Sequence, residues 1–209
     1  MSFIKPRSTA TTRDRLLTVA EVAILDKGFA ATSIEELIAE VGITKGGFFY
    51  HFKDKSALVE AILERHLIAE EVWLDDLFAC AAKETIEPLA QFLVFLRLLQ
   101  DQMAALPDVH PGCLIAATCF QERLFTQTVH DLAQQNLLSW RTRFHARLTA
   151  IANIHPPRHS VDLEAMADML VVLVDGAIIL SKTVREKEVL PRQIALYARF
   201  VAAVFRDEG

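Results

Sequence analysis

The 209-residue sequence predicts an all-α protein of about nine helices. Three observations lead there. Gly and Pro number only seven each, so turn chemistry is confined to a few breaks. Between the breaks the chain runs on for long uninterrupted stretches. Within those stretches apolar residues return every third or fourth position, the period of a helix buried along one side.

The elements follow in order. The first helix covers about 11–27, with Leu16, Ala20, Ala23 and Ile24 on one stripe. Gly28 stops it and Phe29 anchors the turn. Thr32 or Ser33 caps the second helix, since Thr32–Glu35 and Ser33–Glu36 both have capping-box spacing. Its buried face is Ile34, Leu37, Ile38 and Val41. Gly42 ends it, Ile43 plugs the turn, and Thr44 caps a short third helix. A helix, a tight glycine turn and a helix is the shape of a helix-turn-helix.

A fourth helix runs from Lys55 to about Lys83, and Pro88 suits the first turn of a fifth that continues to about 106. "PDVHPGC" breaks the chain before a sixth helix at about 113–125 and a seventh at about 127–153. "NIHPPRHS" breaks it again. An eighth helix covers about 161–185, capped by Ser160 or Asp162, and a ninth runs from near Pro191 to near Arg206. The pattern divides into residues 1–53, with three short helices, and residues 54–209, with long ones.

Composition excludes several classes. Hydrophobic residues make up 52% and charged residues 23%, which fits a globular protein and not a disordered one. The N-terminus lacks the apolar core of a secretory signal. The greasiest run, residues 169–180, is too short to span a bilayer and carries Asp175, so no membrane partner is expected. Three cysteines without framework spacing fit a reducing compartment, and a cytoplasmic location is expected. Net charge is −5, yet residues 1–55 carry +1 and the rest −6. This is no polycation, but a local basic surface can still hold phosphate.

That surface is centred on "GITKGGFFYHFKDKSAL", residues 42–58. Gly46 and Gly47 open a short helix although Gly weakens helices, and Lys45, His51, Lys53 and Lys55 surround them. Small residues at the head of a recognition helix let its backbone approach the DNA major groove. Thr44, Lys45 and the N–H groups around Gly46 and Gly47 lie at the positive end of the helix dipole. Tyr50, His51 and Lys55 lie further along, where flanking phosphates would be, while Phe48 and Phe52 read as core.

Residues 13–58 resemble the DNA-binding domain of the TetR family of bacterial transcriptional regulators. The resemblance is carried by Gly28-Phe29, Thr32-Ser33, Ile38-Ala39, Val41-Gly42-Ile43, Lys45-Gly46, Tyr50-His51-Phe52, and Lys55 with Leu58. It implies that Thr32 and Ser33 contact phosphate at the start of helix 2. It also implies that Lys45, Gly46 and Gly47 meet base edges, that Tyr50 and His51 grip phosphates, and that Lys55 lies against the backbone. Two positions depart from the family. Phe49 replaces a usual tyrosine, and Gly47 replaces a frequent Thr or Ser. Direct readout then rests more on Lys45 and Thr44, or on DNA shape.

Beyond residue 54 the resemblance extends only to helix number, length and order. Leu163, Met166, Leu170 and Val174 on helix 8, with Ile194, Tyr197, Val201 and Phe205 on helix 9, make two broad apolar faces. These predict a four-helix interface in a two-fold homodimer, which a palindromic operator requires, the alternative being simple intrachain core. The resemblance implies an effector pocket enclosed by helices 4 to 7 with part of helix 8, for which the bulky residues Trp73, Leu77, Phe78, Phe92, Phe95, Leu96, Leu99, Trp140 and Phe144 are the expected lining, or else plain core. Asp175 can face the pocket, bridge the dimer or reach solvent. Cys113 follows His110 by three residues at a helix start, where the dipole favours thiolate, and "GCL" resembles a branch of the family that includes sensors of electrophiles or oxidants. The alternative for Cys113 is a small buried hydrophobe. Cys113 and Cys119 point about 120° apart on a helix, against a shared metal or disulfide.

Catalysis finds no motif: no GxSxG, P-loop, HExxH, CxxC or dinucleotide turn. No cofactor and no metal is expected. The expected function is a TetR-type regulator, most simply a repressor released from a palindromic operator by a small apolar or electrophilic effector. The competing readings are a helical architectural or interaction protein that senses nothing, and a helical-bundle enzyme.

Overall fold

A computed structural model describes residues 11–119 and 122–205. Its helices are α1 (Thr12–Lys27), α2 (Ile34–Val41), α3 (Lys45–His51), α4 (Lys55–Glu84), α5 (Pro88–Ala104), α6 (Leu114–Cys119), α7 (Gln127–Ile154), α8 (Leu163–Val184) and α9 (Val189–Phe205). A single 3-10 turn, Glu122–Leu124, precedes α7. The described residues contain no strand. The sixth helix is shorter than the sequence pattern suggests, and the expected end of the ninth at Arg206 lies outside the described residues.

The caps explain the boundaries. Thr11 and Asp14 form a reciprocal capping box at the head of α1. Ser33, not Thr32, caps α2, its hydroxyl accepting from the Glu36 N–H at 3.2 Å. Thr44 caps α3 through the Gly47 N–H at 3.1 Å. Glu87 caps α5, with Pro88 in the first turn, and Asp162 rather than Ser160 caps α8.

Contacts divide the chain into two compact units. One is Met1–Glu71 with Pro111–Asn136, the other Val72–His110 with Leu137–Gly209. The chain passes between them three times, inside α4, at His110–Pro111 and inside α7. The first half of α4, all of α6 and the head of α7 therefore pack with α1–α3. The boundary at 53/54 marks where the short helices end, not where contacts divide.

The first unit buries Leu16, Leu17 and Ala20 of α1 against Leu37 and Val41 of α2, Phe48 of α3, Leu58 and Ile62 of α4, and Leu114 and Ile115 of α6. A polar tie crosses this core. Arg65 of α4 donates to the Glu21 carboxylate of α1 at 2.6 Å and to the Thr18 hydroxyl at 3.1 Å. Both charged groups are mostly buried, so each needs the other.

In the second unit α5 lies at the centre, packed against α9, which also packs on α8. Phe95 stacks on Phe78 at 4.1 Å between ring centroids, and Phe92 and Phe144 close around it. The buried Tyr197 hydroxyl donates to the Met166 carbonyl at 2.7 Å, and burial raises its pKa.

The expected dimer residues are corrected by this packing. Met166, Leu170, Ile194, Tyr197, Val201 and Phe205 are buried in the chain's own core, and Leu163 and Val174 pack against it. They hold α8 and α9 to each other and to α5. The outward apolar face is a different set: Met169, Val172, Ile179 and Leu180 on α8, with Leu196 and Phe200 on α9. Both helices are apolar on two sides, and periodicity alone does not say which side turns inward.

Removing one partner of the Arg65–Glu21 pair strands a buried charge. Arg65→Met is expected to lower the unfolding free energy by about 3 kcal/mol. A urea titration followed by circular dichroism checks this; an unchanged midpoint would mean that the tie contributes nothing.

Candidate nucleic-acid interface

The turn between α2 and α3 is set by Gly42, whose φ of 74° is left-handed. The N–H groups of Gly42 and Ile43 both return to the Ile38 carbonyl, at 2.9 and 3.0 Å. Arg15 of α1 donates to the Val41 carbonyl at 2.6 Å and satisfies another group at this helix end. α3 leaves the turn with Phe48 fully buried and Phe52 buried one turn later. Those two rings fix the rotation of α3 about its axis, so the other side faces outward.

On that outer side lie Thr44, Lys45, Gly46 and Tyr50, with Gly47 and His51 half-buried and Ser33 exposed at the head of α2. Tyr50 is 85% exposed, and its ring packs edge-on against His51 at 5.0 Å. Phe49 is about half exposed, its ring edge-on to Phe48 at 5.4 Å between centroids. The protein's own packing does not require the glycine pair. A Cβ at Gly46 would meet nothing nearer than the Thr44 hydroxyl at 3.8 Å, and one at Gly47 nothing nearer than Ile43 at 3.5 Å. Neither glycine has a left-handed φ.

Thr32 is a correction. Its side chain is 1% exposed, its hydroxyl donates to the Gly28 carbonyl at 2.9 Å, and its N–H is bound to the Phe29 carbonyl. It locks the α1–α2 turn and does not reach phosphate. Lys55 also has a role that sequence did not reveal. Its ammonium donates to the Phe29 carbonyl and lies 3.9 Å from the centroid of the Phe29 ring, and burial lowers its pKa. A phosphate at Lys55 would have to share or displace that contact.

Two carboxylates in the first turn of α2 stand beside this surface, and both were missed. Glu36 is paired with Lys27, and Glu35 with Lys45 at 3.2 Å. The Glu35 carboxyl is held below its usual range by its own backbone N–H and then by Lys45. Lys27 does the same for Glu36. The ten-residue separation of Glu35 and Lys45 gives no sign of the contact, because the Gly42 turn brings them together.

The expected effector residues fall differently. Leu77, Phe92, Phe95, Leu96, Leu99, Trp140 and Phe144 are buried in the packed core of the second unit, and Trp73 packs against it. Asp175 is half-buried on α8. Cys113 belongs to the first unit, where its Sγ accepts the Ala116 N–H at 3.4 Å. The second unit carries a cleft of about 340 Å³, counted out to open solvent, lined by Phe78, Pro88, Gln91, Phe92, Arg147 and Ala150. Of the expected lining only Phe78 and Phe92 take part. No helix among the described residues is long and apolar enough to cross a membrane.

Comparison with known proteins bears on the same segment. The model for bacterial regulatory proteins of the tetR family matches residues 16–62. An HTH-type transcriptional regulator from the lacX 3' region of Lactococcus lactis is 22% identical over 86% of this chain and 87% of its own length. The repressor KstR2 of Mycolicibacterium smegmatis is 36% identical over 30% of each chain. The repressor NemR of Escherichia coli is 36% identical over 32% of this chain and 33% of its own. In structure, a TetR family regulator from Agrobacterium tumefaciens superposes with a TM-score of 0.76 at 20% identity, covering 93% of this chain and 98% of that one. The reduced form of E. coli NemR gives 0.74 at 22% identity, covering 93% and 97%.

Because nothing inside the protein fills the space at the glycine pair, alanine there should stabilise the fold. Gly46→Ala and Gly47→Ala are each expected to add about 0.5–1 kcal/mol by reducing unfolded-state freedom. Thermal melting checks this, and a lowered melting temperature would mean that the glycines serve the fold itself.

Proposed function

The chain belongs to the TetR family of bacterial transcriptional regulators, and from that premise we propose that it is a homodimeric repressor, released from a palindromic operator by a small effector. One observation carries the DNA-facing part of this reading. Ser33, Thr44, Lys45, Gly46 and Tyr50 are exposed together on a helix-turn-helix whose two glycines the fold does not need. A backbone left bare at such a helix is suited to close approach by a duplex. Residues 1–53 then act as the reading head and 54–209 as the effector-binding and dimerisation part. The site of action is the cytoplasm, where the DNA is.

The dimer reading is supported by the outward stripe of Met169, Val172, Ile179 and Leu180, continued on α9 by Leu196 and Phe200. A contiguous apolar face on a charged surface is the usual mark of an isologous contact. The effector reading is supported by the cleft beside Phe78 and Phe92, and its electrophilic variant by Cys113, half-buried at the head of α6. An effector acts only if it binds the DNA-incompetent conformation better than the competent one. The names repressor for KstR2 and NemR support repression rather than activation.

The test is titration of a selected operator and of unrelated duplexes at several salt concentrations. Tyr50→Ala is expected to weaken binding to all duplexes by about tenfold, one hydrogen bond to a charged group, with melting unchanged. Lys55→Ala is expected to lower both affinity and melting temperature, because the Phe29 carbonyl loses its donor. Tyr50→Ala binding with wild-type affinity would remove Tyr50 from the interface. Lys55→Ala melting like wild type would remove its structural role.

Val172→Glu, placed in the outward stripe, is expected to leave the chain folded but monomeric in sedimentation velocity. A dimer of wild-type strength would put the contact on another face.

A further inference from the structure

Glu35 and Lys45 face one another across the helix-turn-helix, one in the first turn of α2 and the other opening α3. Their Oε1 and Nζ are 3.2 Å apart, with side chains 68% and 63% exposed. The fold has little use for this pair. Exposed ion pairs add little stability, and Ser33 and Thr44 already cap the two helices. On a surface that meets phosphates, a carboxylate is tolerated where a cation neutralises it or where it accepts a hydrogen bond from a base, and Glu35 beside Lys45 is placed for both.

The major groove offers such a position at a matching spacing. In a G·C pair, guanine O6 and cytosine N4 are partners in a base-pairing hydrogen bond, so they lie about 2.9 Å apart. Both also present a group to the groove, O6 as an acceptor and N4 as a donor through its second hydrogen. An ammonium and a carboxylate about 3 Å apart meet that acceptor and donor directly. We propose that Lys45 and Glu35 read one G·C base pair as a unit, guanine under Lys45 and cytosine under Glu35. This rests on the DNA-binding reading above.

The pairing chooses among the four base pairs. A C·G pair puts donor against donor and acceptor against acceptor. A T·A pair has the right order, but the thymine methyl replaces the second acceptor, N7, that guanine offers the ammonium. An A·T pair reverses the order, as C·G does. Charge follows the same logic. While Glu35 accompanies Lys45 the pair is neutral overall and adds little to counterion release.

The experiment is selection from a random duplex pool followed by quantitative binding, with wild type, Glu35→Ala and Lys45→Met. Wild type is expected to select one G·C pair in each half-site that both variants lose together, each by about tenfold in discrimination. Glu35→Ala is also expected to bind unrelated DNA more tightly, with a salt slope steeper by about 0.9 per subunit, because Lys45 is freed for phosphate. Equal melting temperatures exclude a folding effect at these exposed positions. If Glu35→Ala keeps the wild-type preference at every position, or the two variants lose preference at different positions, the inference is wrong. A wild-type chain that selects no sequence sinks the DNA-binding reading, and the inference with it.

Discussion

The outward surface of the helix-turn-helix depends on the burial of Phe48. A seven-residue helix has too few hydrogen bonds to persist alone, and α3 opens with two glycines that weaken it further. Its order comes from one aromatic ring fully enclosed by the first unit, held in register by the Gly42 turn and the Thr44 cap. With Phe48 inside, rotation about the helix axis is settled, and Lys45, Gly46 and Tyr50 have to face outward. Burying a ring of this size stabilises by roughly 2–3 kcal/mol, more than the short helix supplies for itself.

The electrostatics of this surface are more restrained than the residue types suggest. Lys27 and Lys45 are each paired with a carboxylate of α2, and Lys55 is turned onto the Phe29 carbonyl and ring. Three of the described lysines of this segment are thus already engaged by the protein itself, in keeping with a net charge of −5. On the proposed DNA-binding reading, selectivity on such a surface would come from matching donors and acceptors more than from attraction to the duplex as a whole.

The second unit follows a related constraint. α8 and α9 are apolar on two sides, one filled by contacts with each other and with α5, the other left outward. The aromatic cluster of Phe78, Phe92, Phe95 and Phe144 is a filled core, and the cleft lies at its edge beside Arg147. An aromatic at helical spacing served packing first, as a dense interior requires.

Much of this was legible in the chain itself. The helices, the glycine stop at 42, the Thr44 cap, the buried Phe48 and Phe52 and the helix-turn-helix follow from capping chemistry and periodicity, which are local. Tertiary structure decided what depends on contacts between distant segments. It turned Thr32 and Lys55 inward, brought Glu35 to Lys45, and sent Met166 and Tyr197 to the core while leaving Val172 and Leu196 outside. The reason is geometric. A 3.6-residue period identifies an apolar face, but where two faces are apolar only the neighbouring helix determines which is covered.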